Sequence, residues 1–269
     1  MTLYADTPKT LSIADLRAMK QAGEKITSLT AYDASFSALL DLTGIEVILV
    51  GDSLGMVVQG HNSTLPVAIR DMVYHCRCVT SARKRAFVVA DMPFASYAAP
   101  QQALNNAARL MQAGGAQMVK LEGAKIDVIE FLVDQGIPVC GHLGLLPQSV
   151  NRIGGYKVQG REPAQAQQIL KDALAIERAG AGLLVLECVP AMLAAEITQN
   201  LTIPVIGIGA GPACDGQVLV LYDMLNITVG NRPRFSKNFM AEADSIEDAV
   251  KRYHRAVKNG QFPATEHIY

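Results

Sequence analysis

A chain of 269 residues, half of them hydrophobic and with 24 basic against 25 acidic side chains, has room for a large core but leaves no basic footprint for a nucleic-acid partner. It holds no charge-free apolar stretch of about 18 residues to cross a membrane. Its opening MTLYADTPKTLSIADLR lacks the basic-then-apolar pattern of a secretory signal.

Taken in chain order, the elements repeat one unit. Ser12-Ile13-Ala14-Asp15 has the form of a capping box and predicts a helix ahead of the first strand. Apolar runs rich in β-branched residues then recur at 26–33, 47–53, 86–93, 118–124, 138–144, 183–189, 204–211 and 217–223. They are continuous rather than alternating, as parallel strands covered on both faces should be. Between them lie segments of helical period. Phe36, Leu39 and Leu40 stop at Gly44; Leu104, Ala107, Ala108 and Met111 follow Pro100 and stop at Gly114-Gly115; Ile169, Leu170, Ala173 and Leu174 stop at Gly180. Ser245 opens a last helix whose buried face is Ala249, Val250, Tyr253 and Val257.

Strand–helix alternation with eight strands predicts a (β/α)8 TIM barrel. Residues 1–269 are expected to form a single such domain, with a short N-terminal helix and a C-terminal helical tail. An open doubly wound sheet is the rival, but no switch point is evident. The five scattered cysteines, Cys76, Cys78, Cys140, Cys188 and Cys214, read as reduced, mostly buried thiols of a cytoplasmic protein. The C-x-C of Cys76 and Cys78 lacks the second pair of a zinc site.

Polar residues fall where the strands end. Asp33, Asp52, Asp91, Glu122, His142 and Glu187 all close predicted strands, and in a barrel those ends share one mouth. Any one of them has an ordinary explanation as a helix cap or turn residue, and for Asp33, just before the helix at 34–43, that explanation is preferred. Glutamates are inefficient caps, and several carboxylates on one rim repel each other unless a cation or a proton intervenes. Asp52, Asp91 and Glu122 come from neighbouring strands. As hard oxygen donors that converge directly or through water, they favour Mg²⁺ or Mn²⁺ over Zn²⁺. An α-keto acid is the natural chelating guest.

Lys120 shares a strand face with Glu122 and needs a carboxylate partner, either a neighbour's or a substrate's; a Schiff-base role is the competing reading. Glu187, embedded in LLVLECV, sits where burial raises a carboxyl pKa and suits a general base. His142 either polarises a substrate oxygen, bridges to Glu187 or is a satisfied core histidine. Two long loops, GMVVQGHNSTLP and LLPQSVNRIGGYKVQGR, lie on the mouth side as lids or cosubstrate walls; His61 in the first reads as solvated. PVIGIGAG is similar to the phosphate-binding turn of many barrels, but glycines also serve close packing and substrate access, and a neutral pterin-like ring could use the same open backbone.

The ordered set TAYDASF, VGDSLGMVVQGHNSTLPV, ADMPFASY, MVKLEG, VCGHLGLLPQSVNRIGGYKVQGR, LVLECVP, IPVIGIGAG and RFSKNF, from about residue 26 to 240, resembles the ketopantoate hydroxymethyltransferase family. That resemblance implies a barrel of the phosphoenolpyruvate/pyruvate superfamily and transfer of a hydroxymethyl group from 5,10-methylenetetrahydrofolate to 3-methyl-2-oxobutanoate, early in pantothenate and coenzyme A synthesis. It assigns the magnesium (one Mg²⁺ per subunit) to Asp52, Asp91 and Glu122, substrate binding to Asp52, Ser53, Asp91 and Lys120, and proton abstraction to Glu187. It also implies a homo-oligomer, commonly a decamer. The alternatives are a related Mg²⁺-dependent lyase or phosphonomutase, which needs no folate, and a non-catalytic keto-acid or phosphate binder.

Overall fold

The computed structural model describes residues 9–228, 230 and 232–269; the first eight residues of the opening stretch read for a signal pattern lie outside them. Eight parallel strands close into a barrel in sequence order: β1 (Ile26–Thr30), β2 (Val47–Val50), β3 (Phe87–Asp91), β4 (Met118–Glu122), β5 (Val139–Gly144), β6 (Leu183–Glu187), β7 (Val205–Ile208) and β8 (Gly216–Leu219). β8 returns to β1 with Ile26 opposite Gly216 and Leu29 opposite Leu219, so no edge is left for another chain to pair with. The open doubly wound sheet is thereby excluded.

The strands are buried almost throughout, β1, β3 and β4 at every residue, because both faces are covered. Inward-pointing Ile26, Val47, Phe87, Val89, Met118, Cys140, Leu183, Val185, Ile206 and Val218 fill the lumen. Each such buried side chain contributes roughly 1.5–3 kcal/mol of transfer free energy. Leu16, from the N-terminal helix Ile13–Gln21, joins this cluster with Leu11, Ile13 and Met19 packed against it, so that helix plugs the bottom of the barrel. Its capping box is formed as the sequence predicts: Asp15 N–H donates to Ser12 Oγ, and Ser12 N–H donates to Asp15 Oδ2 at 2.9 Å.

The outward faces pack on the surrounding helices in a second, larger core. The helix Ile246–Lys258 buries Ala249, Val250, Tyr253 and Val257, as read from the sequence. Tyr253 Oη shares its one proton between Ser28 O and Gln217 O, at 2.9 and 2.8 Å. That tyrosine therefore straddles the seam where β8 meets β1. Plugged below and closed at its seam, the barrel leaves its C-terminal rim as the end where polar side chains collect.

Candidate active site

The sequence placed an aspartate at the end of the first strand as a cap. Asp33 does this: Phe36 N–H donates to its Oδ1 at 2.9 Å at the start of the helix Ala34–Leu42. The remaining polar residues meet at the mouth. Asp91 and Glu122 close β3 and β4, Glu187 closes β6, and His142 sits within β5 opposite Glu122. Asp52 and Ser53 follow β2 in a turn that starts the short helix Leu54–Val57. Gly51 makes this turn possible. A Cβ there would stand 2.8 Å from Ser53 Oγ and 3.4 Å from Asp91 Oδ2.

Lys120 is the cation at the centre. Its Nζ lies 2.5 Å from Asp91 Oδ1, and both side chains are almost completely buried. Burial works against the ammonium, but the carboxylates of Asp91, Glu122 and Asp52 outweigh it and hold the pKa above its ordinary value. A protonated lysine is no nucleophile, which weighs against the Schiff-base reading. Asp91 in turn accepts from the backbone N–H of Asp52 at 3.0 Å, so the two aspartates are fixed against each other.

Against this one ammonium stand Asp52, Asp91, Glu122 and Glu187. Burial, and then the charge of Asp91, push the Asp52 carboxyl up to about 7. Burial pushes Glu187 up to about 8, with Lys120 opposing. Glu122 is raised well above its usual range by burial and by Asp52. His142 is held neutral, its pKa well below the ordinary value through burial and the nearby Lys120. Its Nδ1 lies 3.4 Å from Lys120 Nζ, which can only donate. The imidazole proton therefore sits on Nε2, 3.2 Å from Glu187 Oε2. That nitrogen makes no aligned hydrogen bond, so this contact is a close approach that a small rotation would convert into one.

Three residues that the sequence reading did not single out hold the polar groups of the mouth in place. Gln148 Nε2 donates to Asp52 Oδ2 at 2.8 Å and to Met92 O at 3.0 Å, while its backbone N–H donates to Glu122 Oε2 at 3.1 Å. Tyr97 Oη donates to Gln148 Oε1 and accepts from Glu122 N–H. Tyr32 Oη lies 2.9 Å from Ser53 Oγ. All three fall inside motifs already noted, but an uncharged amide and two tyrosines give no signal of their own.

Do these groups suit the magnesium ion expected from the sequence? Among the described residues, no three His, Cys, Asp or Glu side chains form a closed ligand group. Asp52 and Asp91 are adjacent, whereas Gln148 stands between Asp52 and Glu122. The donors are oxygens, and four carboxyls face one ammonium, so three of them are pushed towards holding protons that a divalent cation would displace. That combination suits a hard divalent ion held by one or two carboxylates, with waters or substrate oxygens completing its shell. It does not suit the thiolate and imidazole donors of zinc.

Other expectations resolve simply. The five cysteines are free, and four are buried. Cys76 and Cys78 ride the helix Ile69–Thr80 two positions apart, one buried and the other half-buried, so they do not converge as a metal pair. His61 is exposed. The glycines after β7 serve packing: a Cβ at Gly209 would meet Phe235 at 3.0 Å and Tyr269 at 3.1 Å, so those rings take the space a phosphate would need.

A family model described as ketopantoate hydroxymethyltransferase matches residues 10–265. The chain is 59% identical to 3-methyl-2-oxobutanoate hydroxymethyltransferase of Nitrosococcus oceani, over 96% of this chain and 99% of the relative. To the enzyme of the same name from Alkalilimnicola ehrlichii it is 57% identical, over 98% and 97%. Among solved structures, the barrel is similar to phosphoenolpyruvate phosphomutase from Streptomyces platensis (TM-score 0.61, 16% identity, 80% and 83% of the two chains). It is similar also to phosphonopyruvate hydrolase in complex with oxalate and Mg²⁺ (TM-score 0.60, 12% identity, 92% and 98%). A third, 2,3-dimethylmalate lyase (TM-score 0.59, 14% identity, 82% and 81%), is described as a member of the PEP mutase/isocitrate lyase superfamily.

Proposed function

The chain belongs to the ketopantoate hydroxymethyltransferase family, and from that membership and the site we propose that it transfers a hydroxymethyl group from 5,10-methylenetetrahydrofolate to 3-methyl-2-oxobutanoate, with ketopantoate and tetrahydrofolate as products. Water supplies the hydroxyl oxygen. The observation that carries this reading is the meeting, at one barrel mouth, of a buried ammonium, adjacent aspartates and a buried glutamate of raised pKa.

Each residue has a task in this reading. Asp52 and Asp91, with Glu122 through water, would hold one Mg²⁺ per subunit. When bound, that ion supplies Lewis-acid polarisation of the keto acid's carbonyl and carboxylate oxygens. Lys120 and Ser53 hold the carboxylate end of the substrate, the lysine by charge and the serine by a hydroxyl oriented by Tyr32. Glu187 takes the proton from C3. Burial makes it a stronger base than a solvated carboxylate, and accepting a proton relieves the cost of its buried charge. His142 presents its Nε2–H towards Glu187 and so orients the carboxylate. Water cleaves both C–N bonds of the folate's methylene bridge, leaving tetrahydrofolate and the one-carbon unit as formaldehyde. The electron pair at C3 then attacks that carbonyl carbon, forming the new carbon–carbon bond, and the alkoxide so formed takes up the proton that Glu187 accepted.

The lyases and mutases that share the barrel do so at 12–16% identity, which speaks for the fold alone. Assembly as a homo-oligomer, a decamer in the family's common form, belongs to the same proposal and is read by sedimentation. The chemical test is exchange of the C3 proton of 3-methyl-2-oxobutanoate in deuterated water, followed by folate-dependent product formation. Glu187→Gln should bind the keto acid yet lose exchange by on the order of a hundredfold or more. Undiminished exchange removes Glu187 as the base. Turnover of the keto acid that never requires the folate would favour the lyase alternative.

A further inference from the structure

The segment between β5 and the helix Pro163–Arg178 arches over the mouth from two anchors. At its start, the buried Gln148 is tied to Asp52 and Glu122. At its end, Gln159 N–H donates to Cys188 O at 2.9 Å, directly beyond Glu187. Between the anchors Tyr156 reaches across to the β2 side, its Oη 3.8 Å from Met56 Sδ on the helix that follows Asp52. The bend that permits this lies in Gly154 and Gly155, at φ 73° and 117°, a region closed to most side chains.

The Tyr156 ring is poised above the reacting groups but is not packed away. It stays 52% exposed, and its phenol is raised by burial and then by the charges of Glu187, Asp52 and Glu122. Arg152, Lys157 and Arg161 lie four positions before, one after and five after Tyr156 on the same segment, and all three are exposed. Among the described residues none of the three has a carboxylate within 4.0 Å. In a chain with slightly more acids than bases, an exposed ring on a segment that also carries three exposed cations without a carboxylate partner matches a ligand with a flat aromatic head and an anionic tail.

We propose that this segment is the cosubstrate subsite: the Tyr156 ring stacks on the heteroaromatic head of the reduced folate, and Arg152, Lys157 and Arg161 take the carboxylates of its glutamyl tail. The assignment rests on the folate reading above and adds a consequence to it. A tail of several glutamates gains affinity over a single one, and the gain falls with ionic strength.

The test is direct binding of tetrahydrofolate carrying one or five glutamates to the Mg²⁺-loaded protein with keto acid present. Wild type should prefer the five-glutamate form, less so at high salt. Tyr156→Ala should weaken both forms on the order of tenfold, and Tyr156→Phe should restore them. The triple variant R152A/K157A/R161A should lose the preference and its salt dependence, and unchanged melting temperatures establish that the variants fold. If wild type binds the folates and Tyr156→Ala binds them equally well, or the triple variant keeps its preference, the subsite is wrong while the cosubstrate stands. Wild type that exchanges the C3 proton but binds neither form overturns the cosubstrate assignment, and the subsite with it.

Discussion

Glu187→Gln should stabilise the protein while disabling it. The Glu187 carboxyl is pushed up from 4.5 to about 8, chiefly by burial. In the unfolded chain at pH 7 this group has lost its proton; in the folded protein it largely keeps it. The folded state thus binds the extra proton, and stability falls as pH rises through this interval. The cost is absent below about 4.5, grows between 4.5 and 8, and is constant above. From 4.5 to 7, at about 1.4 kcal/mol per pH unit, it reaches about 3 kcal/mol. That figure is an upper bound, because the side chain keeps 15% of its surface exposed. Glutamine fills the same volume with no charge to desolvate, and its amide oxygen can accept from His142 Nε2–H. Thermal melts of both proteins in chelator, from pH 5 to 8, should show the variant melting roughly 5 °C higher at pH 7, with the gap narrowing towards pH 5. A variant that melts no higher than wild type at pH 8, or a gap indifferent to pH, refutes a buried carboxylate kept at a cost for use as a base.

Three further outcomes follow from the same geometry. Asp91→Asn removes an oxygen donor and the Lys120 partner together, so Mg²⁺ affinity by calorimetry should fall at least tenfold; equal affinity would remove Asp91 from the metal. Gln148→Leu strips Asp52 of its amide donor and leaves Tyr97 Oη without an acceptor, a loss of about 2–4 kcal/mol in urea unfolding; a loss below about 0.5 kcal/mol would mean that the network holds nothing. For kcat/KM, the base must be deprotonated, so the rate should rise with pH on a limb centred no higher than about 8 and shifted lower by a bound cation. A limb that persists unchanged in a partly active Glu187→Asp variant would belong to another group.

The barrel was legible because its strands are buried on both faces, and continuous β-branched runs have few other uses. Their ends were less so. The reading carried the first strand to residue 33 and the last to 223, but β1 stops at Thr30 and Leu221–Met224 is helical. Apolar character does not cease where pairing ceases, since Tyr32 and Leu221 remain buried beyond the ladder. The rim helix Leu54–Val57 falls in a stretch that reads as loop because glycine, proline and polar residues follow it, and the sequence reading names no helix at Ile69–Thr80.

At the site, charge was the readable signal and neutral polarity was not. A carboxylate closing an apolar strand demands an explanation; a glutamine in a polar loop does not. Yet four acids and one ammonium cannot set their own positions, because like charges only push one another apart. Gln148, 96 positions from Asp52 and 26 from Glu122, supplies what they lack: one donor to each of two carboxylates, with its amide oxygen fixed by Tyr97. Gln148 thus stands between Asp52 and Glu122, and among the described residues the three acids do not close into a single ligand group. A cation seated at Asp52 and Asp91 would then keep positions open towards Glu122, where water or substrate oxygens can enter. On the proposed reading, the neutral residue hidden from the sequence is the one that would leave the acidic mouth open to a chelating acid.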